Sequence, residues 1–428
     1  MNDDLIPVAE VDLQYGKSLI PFAFDESFEL LVPPEASPPL APLTDPEIDL
    51  ALDVPIDSPP LEDIISPQET VLIVVSDATR PTASDQVVNI LVRRLVQLSI
   101  SPANISIIFS TGIHRRVTDE EKRQLLTPFI TQRIRTIDHD PHDRSNLIEL
   151  GTTETGTPIE VSRTLEEFSH VILTGAIDFH YFAGFTGGRK SICPGLASAQ
   201  TIAATHALTL DEKRGVRRAG VGVGRLDGNP VHEECERVAA QVAPSFLINT
   251  IADERGRAIR VYAGHWRTAH RYGCAELATE RTLQIGEKRP LVIASCGGWP
   301  KDINLIQAHK TLDTAALACT DGGTIVLLAE CADGLGRPDF LKWFTGEGSE
   351  ALAQRLRDAY EVNGQTAWAL LTKTERYRVL LVSKLLPQDV RLMGMEPVAS
   401  LEEALSQTQA TPGYILPHGA SYLPVVVT

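Results

Sequence analysis

The sequence predicts an α/β protein of two domains, each a largely parallel sheet flanked by helices, with the functional site in the cleft between them. Three observations carry this. The chain has 428 residues, too many for one ordinary core. Short β-branched runs alternate with stretches of helical apolar spacing along most of its length. Polar and glycine-containing segments follow four of those runs, where parallel sheets present their ligands.

The elements follow in order. Residues 31–60 are rich in proline and read as an extended segment that wraps a surface or links pieces. Residues 69–77 (ETVLIVVSD) form a buried strand by their β-branched run, and 83–100 a helix by apolar spacing. Residues 105–111 form a second strand. Thr118 starts a helix, with Glu121 in capping-box position. Residues 170–177 (HVILTGAI) form a third strand, 198–210 a helix capped by Ser198, and 246–252 another strand. A long helix over 265–285 opens the second domain, so the division falls into 1–264 and 265–428. Beyond it come a strand (290–295), a helix (303–319), a strand (324–329), a helical stretch over 349–377 broken near Gly364, and a strand (377–383).

Composition narrows the function classes. Apolar content of 43% and charged content of 22% describe a soluble globular chain. No apolar run is long enough to span a membrane, and the N-terminus MNDDLIPVAEVD lacks a signal-peptide pattern, so a cytoplasmic protein is expected. A net charge of -17 argues against nucleic acid and anionic membranes as partners. That acidity is concentrated in residues 1–65, where Lys17 is the only cation. None of the six cysteines forms C-x-x-C, so reduced thiols are expected rather than a zinc site.

The strand ends carry the candidate chemistry. Asp77 and Arg80 follow the first strand. They read equally as a helix cap with its ion-pair partner, or as a grip on a substrate carboxylate. His114 follows the second strand and His180 the third; a lone histidine is usually structural, but two at strand ends point to active-site loops. His180 opens HYFAGFTGGRKS (180–191). This resembles a phosphate loop, G-x-x-x-x-G-K-[ST], except that Arg189 stands where the last glycine belongs. Lys190 is then a solvated lysine, a phosphate contact or a covalent anchor. His206 sits in a helix with no second ligand at i+3 or i+4, so a metal there would need its other donors from a cofactor.

Taken together, DATRPT (77–82), STGIHR (110–115), HYFAGFTGGRKSICPG (180–195), TH (205–206), LDGNPVHE (226–233) and GGWPKDINLIQAHK (297–310) resemble the nickel-dependent lactate racemases and related 2-hydroxyacid racemases and epimerases. The resemblance spans most of the chain in order. It implies an isomerase whose cofactor is nickel held by a pyridinium mononucleotide with two sulfur-bearing arms, joined to Lys190 as a thioamide. His206 is then the nickel ligand. His114 and His180 are the acid/base pair, one for each enantiomer, while hydride leaves the α-carbon and returns through a 2-keto acid. Arg80, Gln307, Lys310 and Trp368 match substrate-lining positions, with Arg80 and Lys310 suited to the carboxylate. Asp77 is left to orient Arg80 or to meet the cofactor's ribose. Thr186, Gly187, Gly188 and Ser191 are the expected contacts of the cofactor phosphate. Lactate is the expected substrate; malate, phenyllactate, a longer aliphatic acid or a sugar acid are the alternatives. Tyr181, Phe182 and Trp299 are the expected neighbours of the substrate's side group. Enzymes that build the cofactor are the expected transient partners. Two other classes remain: a nucleotide-binding phosphotransferase using the glycine loop, and a non-catalytic carrier.

Overall fold

The structure, a computed structural model, describes residues 9–33, 40–78, 81–211, 213–253, 255–408 and 412–427. Two compact units organise the chain. One comprises residues 36–209 and 219–279, the other 1–35, 210–218 and 280–428. The division differs from the expected one in three places. Most of the helix Thr268–Arg281 packs with the first unit, where His270 Nε2 donates to the Thr186 carbonyl at 2.9 Å, so the boundary falls in its last turn rather than before it. The N-terminal strand Phe28–Leu30 joins the second unit's sheet beside Gly413–Leu416. Residues 210–218 also cluster with that unit, although they lie between segments of the other.

The first unit holds a six-stranded sheet in the order Ala258–Gly264, Phe246–Ala252, His170–Ala176, Val71–Ser76, Ile105–Ser110, Arg135–Asp138. All neighbours are parallel except the first two. The chain starts at Val71–Ser76, moves to one side through Ile105–Ser110, then returns to the other side as His170–Ala176. That reversal makes a crevice at the carboxyl ends of these strands, where ligands bind in open α/β sheets. Val71, Ile73, Ile107 and Ile172 lie in one buried core with Val88 and Leu91 of the helix Ser84–Gln97. The second unit's sheet runs Glu396–Val398, Arg378–Val382, Cys319–Leu328, Arg289–Ser295, Gly413–Leu416, Phe28–Leu30, all parallel.

The expected strands and helices are present, with two physical corrections. Within the proline-rich stretch, Asp45–Asp53 is a helix rather than an extended segment. Glu47 accepts the Thr44 N–H at 2.7 Å in a capping box, and Ile48 and Leu52, four apart, bury one face. The acidic residues of this region have a purpose in packing: Asp49, Asp53 and Glu62 gather on the guanidinium of Arg94, which is 10% exposed. The helical stretch near 349–377 breaks at 359–361, not at Gly364. Gly364 lies inside the helix Val362–Thr374, because a Cβ there would stand 2.7 Å from Leu356 and 2.9 Å from Trp343. All six cysteines are free thiols and buried. Among the described residues, no helix is long and apolar enough to cross a membrane.

Candidate active site

The crevice of the first unit collects most of the candidate residues. Asp77 follows Val71–Ser76 directly and is only 6% exposed. Its Oδ2 lies 2.7 Å from His114 Nδ1. An ionised carboxylate only accepts, so His114 carries its proton on Nδ1 and presents Nε2 for chemistry. Asp77 therefore braces a histidine. Thr79 and Arg80 lie outside the described residues. The loop bearing His114 is held from below: Gly112 N–H donates to the Gly195 carbonyl at 2.9 Å, just past the glycine-rich segment.

His180 sits in a two-residue ribbon, Phe179–His180 against Gly184–Phe185. Its Nδ1 accepts the Ala183 N–H at 3.3 Å, which places the proton of the neutral ring on Nε2. The two histidines thus stand in opposite tautomers. The hub of the site is Phe182, buried at 5% exposure. Its ring centroid is 4.5 Å from that of His180 and 5.1 Å from that of His206, and the Lys190 ammonium lies 5.6 Å from it. The sequence marked Phe182 only as a neighbour of the substrate's side group.

The glycine-rich loop is braced within the fold at several of its groups. Gly187 and Gly188 adopt φ of 76° and 56°. The Gly188 N–H donates to Asn249 Oδ1 at 2.9 Å, and a Cβ on Gly188 would stand 2.5 Å from the His270 ring. The Thr186 N–H goes to the Asp178 carbonyl, its hydroxyl to the Ala176 carbonyl at 2.7 Å, and the Ser191 hydroxyl to the Thr174 carbonyl at 3.2 Å. The Thr186 and Gly188 amides and the Thr186 and Ser191 hydroxyls thus each have a partner within the fold. Arg189, the residue that breaks the phosphate-loop pattern, turns inward and is 1% exposed. It donates to the Ala183 carbonyl at 2.7 Å and the Gly187 carbonyl at 3.3 Å, bracing the loop on which Lys190 stands. Asn249 was missed by sequence reasoning; an asparagine inside the apolar strand FLINTIA was the available signal.

His206 lies in the last turn of Ala199–Ala207. Burial, then the nearby Lys190 charge, pushes its pKa down to about 3, and its Nδ1 is held by Thr205 Oγ1 at 3.2 Å. It is a neutral imidazole whose Nε2 is the nitrogen suited to a metal. Among the described residues, no group of three or more His, Cys, Asp or Glu could hold a metal ion. A single protein ligand fits a metal that takes its remaining donors from an organic group.

Burial of other histidines has a consequence for stability. His232, His270 and His309 are pushed down to about 2, 3 and 4, in each case first by burial. Unfolding returns each of these rings, and His206, to an ordinary value near 6.5, where the unfolded chain binds protons and the folded chain does not. Their stabilising effect is complete above about pH 6.5 and is lost as pH falls toward 3. Urea midpoints should drop steeply between about pH 6.5 and pH 4; a flat series would remove this account.

Gln307, Lys310 and Trp368 belong to the second unit. Lys310 Nζ donates to Gln307 Oε1 at 2.6 Å along the helix Leu305–Ala318. Trp368 is 2% exposed, and its indole N–H has no hydrogen-bond partner among the described residues. Trp299 is 54% exposed, with Lys17 over its ring.

Comparison with known proteins covers nearly the whole chain. Residues 15–217 match the family model described as the lactate racemase N-terminal domain, and 286–417 match the lactate racemase C-terminal domain. The chain is 30% identical to the lactate racemase of Thermoanaerobacterium thermosaccharolyticum, over 93% of this chain and 94% of that one. It is 30% identical to the lactate racemase of Lactiplantibacillus plantarum, over 94% and 95%. The structure resembles the lactate racemase apoprotein of T. thermosaccharolyticum with a TM-score of 0.88 and 28% identity, covering 97% of this chain and 100% of that one. A crystal structure of a Thermotoga maritima protein shares the fold at a TM-score of 0.66 and 19% identity, covering 90% and 99%.

Proposed function

The chain belongs to the lactate racemase family, and from that footing we propose that it interconverts the two enantiomers of lactate. It is an isomerase of the racemase class. One observation carries the reading. A histidine braced by a buried carboxylate shares a crevice with a second strand-end histidine, a lysine and a neutral imidazole gathered on one phenyl ring.

The residues fit a nickel ion borne by a sulfur-armed pyridinium nucleotide: Lys190 supplies an amine for a thioamide, and His206 Nε2 supplies one soft-compatible nitrogen. That group, when bound, supplies a reversible hydride acceptor for the α-carbon. The protein's own task is the proton and the carboxylate. His114 Nε2 accepts the hydroxyl proton of one enantiomer, and the Asp77 carboxylate stabilises the imidazolium that results. By the reverse of its action on the other enantiomer, His180 as an imidazolium gives a proton to the substrate oxygen while hydride returns to the opposite face of the α-carbon; the roles exchange for the other enantiomer. Lys310 and Arg80 pair with the substrate carboxylate, Gln307 donates a hydrogen bond, and Trp368 lines the pocket. Phe182 and Tyr181 exclude water around the two rings.

Protein co-produced with cofactor-building enzymes and nickel, given L-lactate and followed by chiral chromatography, should yield an equal mixture of enantiomers. No turnover by protein carrying nickel and a Lys190 mass adduct would sink lactate as the substrate and direct the search to another 2-hydroxyacid. Asp77→Asn should lower kcat by about 10–100-fold with KM and adduct content little changed, because it disturbs the tautomer and orientation of His114. A loss of adduct instead would return Asp77 to the ribose.

A further inference from the structure

We propose that Arg217 and Asp313 are positioning residues for His206, an inference that rests on His206 being the nickel ligand. The argument follows the chain outward from that histidine. The His206 carbonyl accepts both the hydroxyl of Thr209 and its N–H, the latter at 3.0 Å, so the end of the helix is tied to Thr209. The next residue, Leu210, forms an antiparallel bridge with Arg217. Asp211 N–H donates to the Val216 carbonyl at 2.9 Å, and Asp211 Oδ1 accepts the N–H groups of Lys213 and Arg214. The described residues of 210–217 thus fold back on one another, beginning four residues after His206.

That segment is fastened at its far end. The Arg217 guanidinium grips Asp313 through two hydrogen bonds of 2.9 and 3.3 Å, in the planar two-point geometry that arginine alone provides. Asp313 is 5% exposed and also accepts from Lys373. Arg357 adds a bond to the Arg214 carbonyl at 3.3 Å. The Asp313 helix carries Lys310 one turn earlier, and the Lys373 helix carries Trp368 five residues earlier. One buried carboxylate therefore joins the two helices that bear proposed substrate residues to the segment that continues from the metal histidine. Groups that orient a ligating histidine from outside the metal's own shell set how firmly the metal is held. Without the clamp the last turn of the histidine helix is free to fray at Thr209, and the imidazole loses its fixed direction.

Arg217→Ala suits the test, because Lys373 still neutralises Asp313 and no buried charge is left alone. Protein would be co-produced with cofactor-building enzymes and nickel, its Lys190 adduct confirmed by intact mass, and nickel release into a chelator followed in time. Arg217→Ala should release nickel about tenfold faster or more, with the adduct intact, and Arg217→Lys should fall between it and the unaltered chain. His206→Ala should release nickel at once, and adding Arg217→Ala should change nothing further. Release at the unaltered rate from both Arg217 variants would overturn the proposal while leaving His206 as ligand. Retention of nickel by His206→Ala would instead overturn the reading on which it rests. Should Arg217→Ala fail to fold, Arg217→Lys, which keeps the charge and loses the two-point grip, decides the matter.

Discussion

Lys190→Ala is expected to leave the chain folded, without a covalent adduct and without measurable racemisation, a loss of about 10³-fold or more. The folded state should survive because Lys190 is half-buried and its ammonium stands over the ring of Phe182. The loop beneath it is held by other groups: Arg189 on two carbonyls, Asn249 on the Gly188 amide, and Ser191 on Thr174. The activity should not survive, because a covalent tether replaces encounter with an effective concentration no free pool supplies. Intact mass of the purified protein, compared with the unaltered chain from the same co-production, reads the result directly. An unmodified mass in the unaltered chain, with activity present, would refute covalent anchoring. An adduct retained by Lys190→Ala would move the anchor to another nucleophile.

His114→Ala and His180→Ala should each lower turnover by about 10²–10⁴-fold while leaving the Lys190 adduct and the fold in place. Both rings contribute in each direction, one accepting and one returning a proton, so the loss should appear from L-lactate and from D-lactate alike. The double variant should be little worse than the poorer single one, as for groups that act as a unit. Initial rates from each enantiomer, read by chiral chromatography, test this. The partners differ in how they are held: His114 by a charged bond to Asp77, His180 by its stack on Tyr181, its edge contact with Phe182 and the Ala183 amide. If either alanine variant kept its rate, that ring would lose its place in the proton path.

Much of this was legible in residues alone. Alternating periods of two and near four along one chain indicate parallel sheets with covering helices, and the rule that ligands meet strand ends pointed to Asp77, His114 and His180. Thr118 and Glu121 announced their capping box, and Thr118 N–H does donate to Glu121 at 2.8 Å. The helix at Asp45–Asp53 was legible too, through Thr44 and Glu47, but the surrounding prolines outweighed that signal. The break wrongly placed at Gly364 shows the opposite error. Glycine opposes helix in isolation, and here it is kept because Trp343 and Leu356 leave no room for a Cβ.

The sequence by itself determined the fold class, the order of elements and the residue types at the strand ends, because propensity, periodicity and capping act over a few neighbouring residues. Only the tertiary structure decided what those residues do to one another. It gave Asp77 to His114 across 37 positions, turned Arg189 inward, spent the Gly188 amide on Asn249, and joined Arg217 to Asp313 across 96. Each of these pairings satisfies a polar group that burial would otherwise leave without a partner, and burial is set by how distant segments pack, which no local pattern contains.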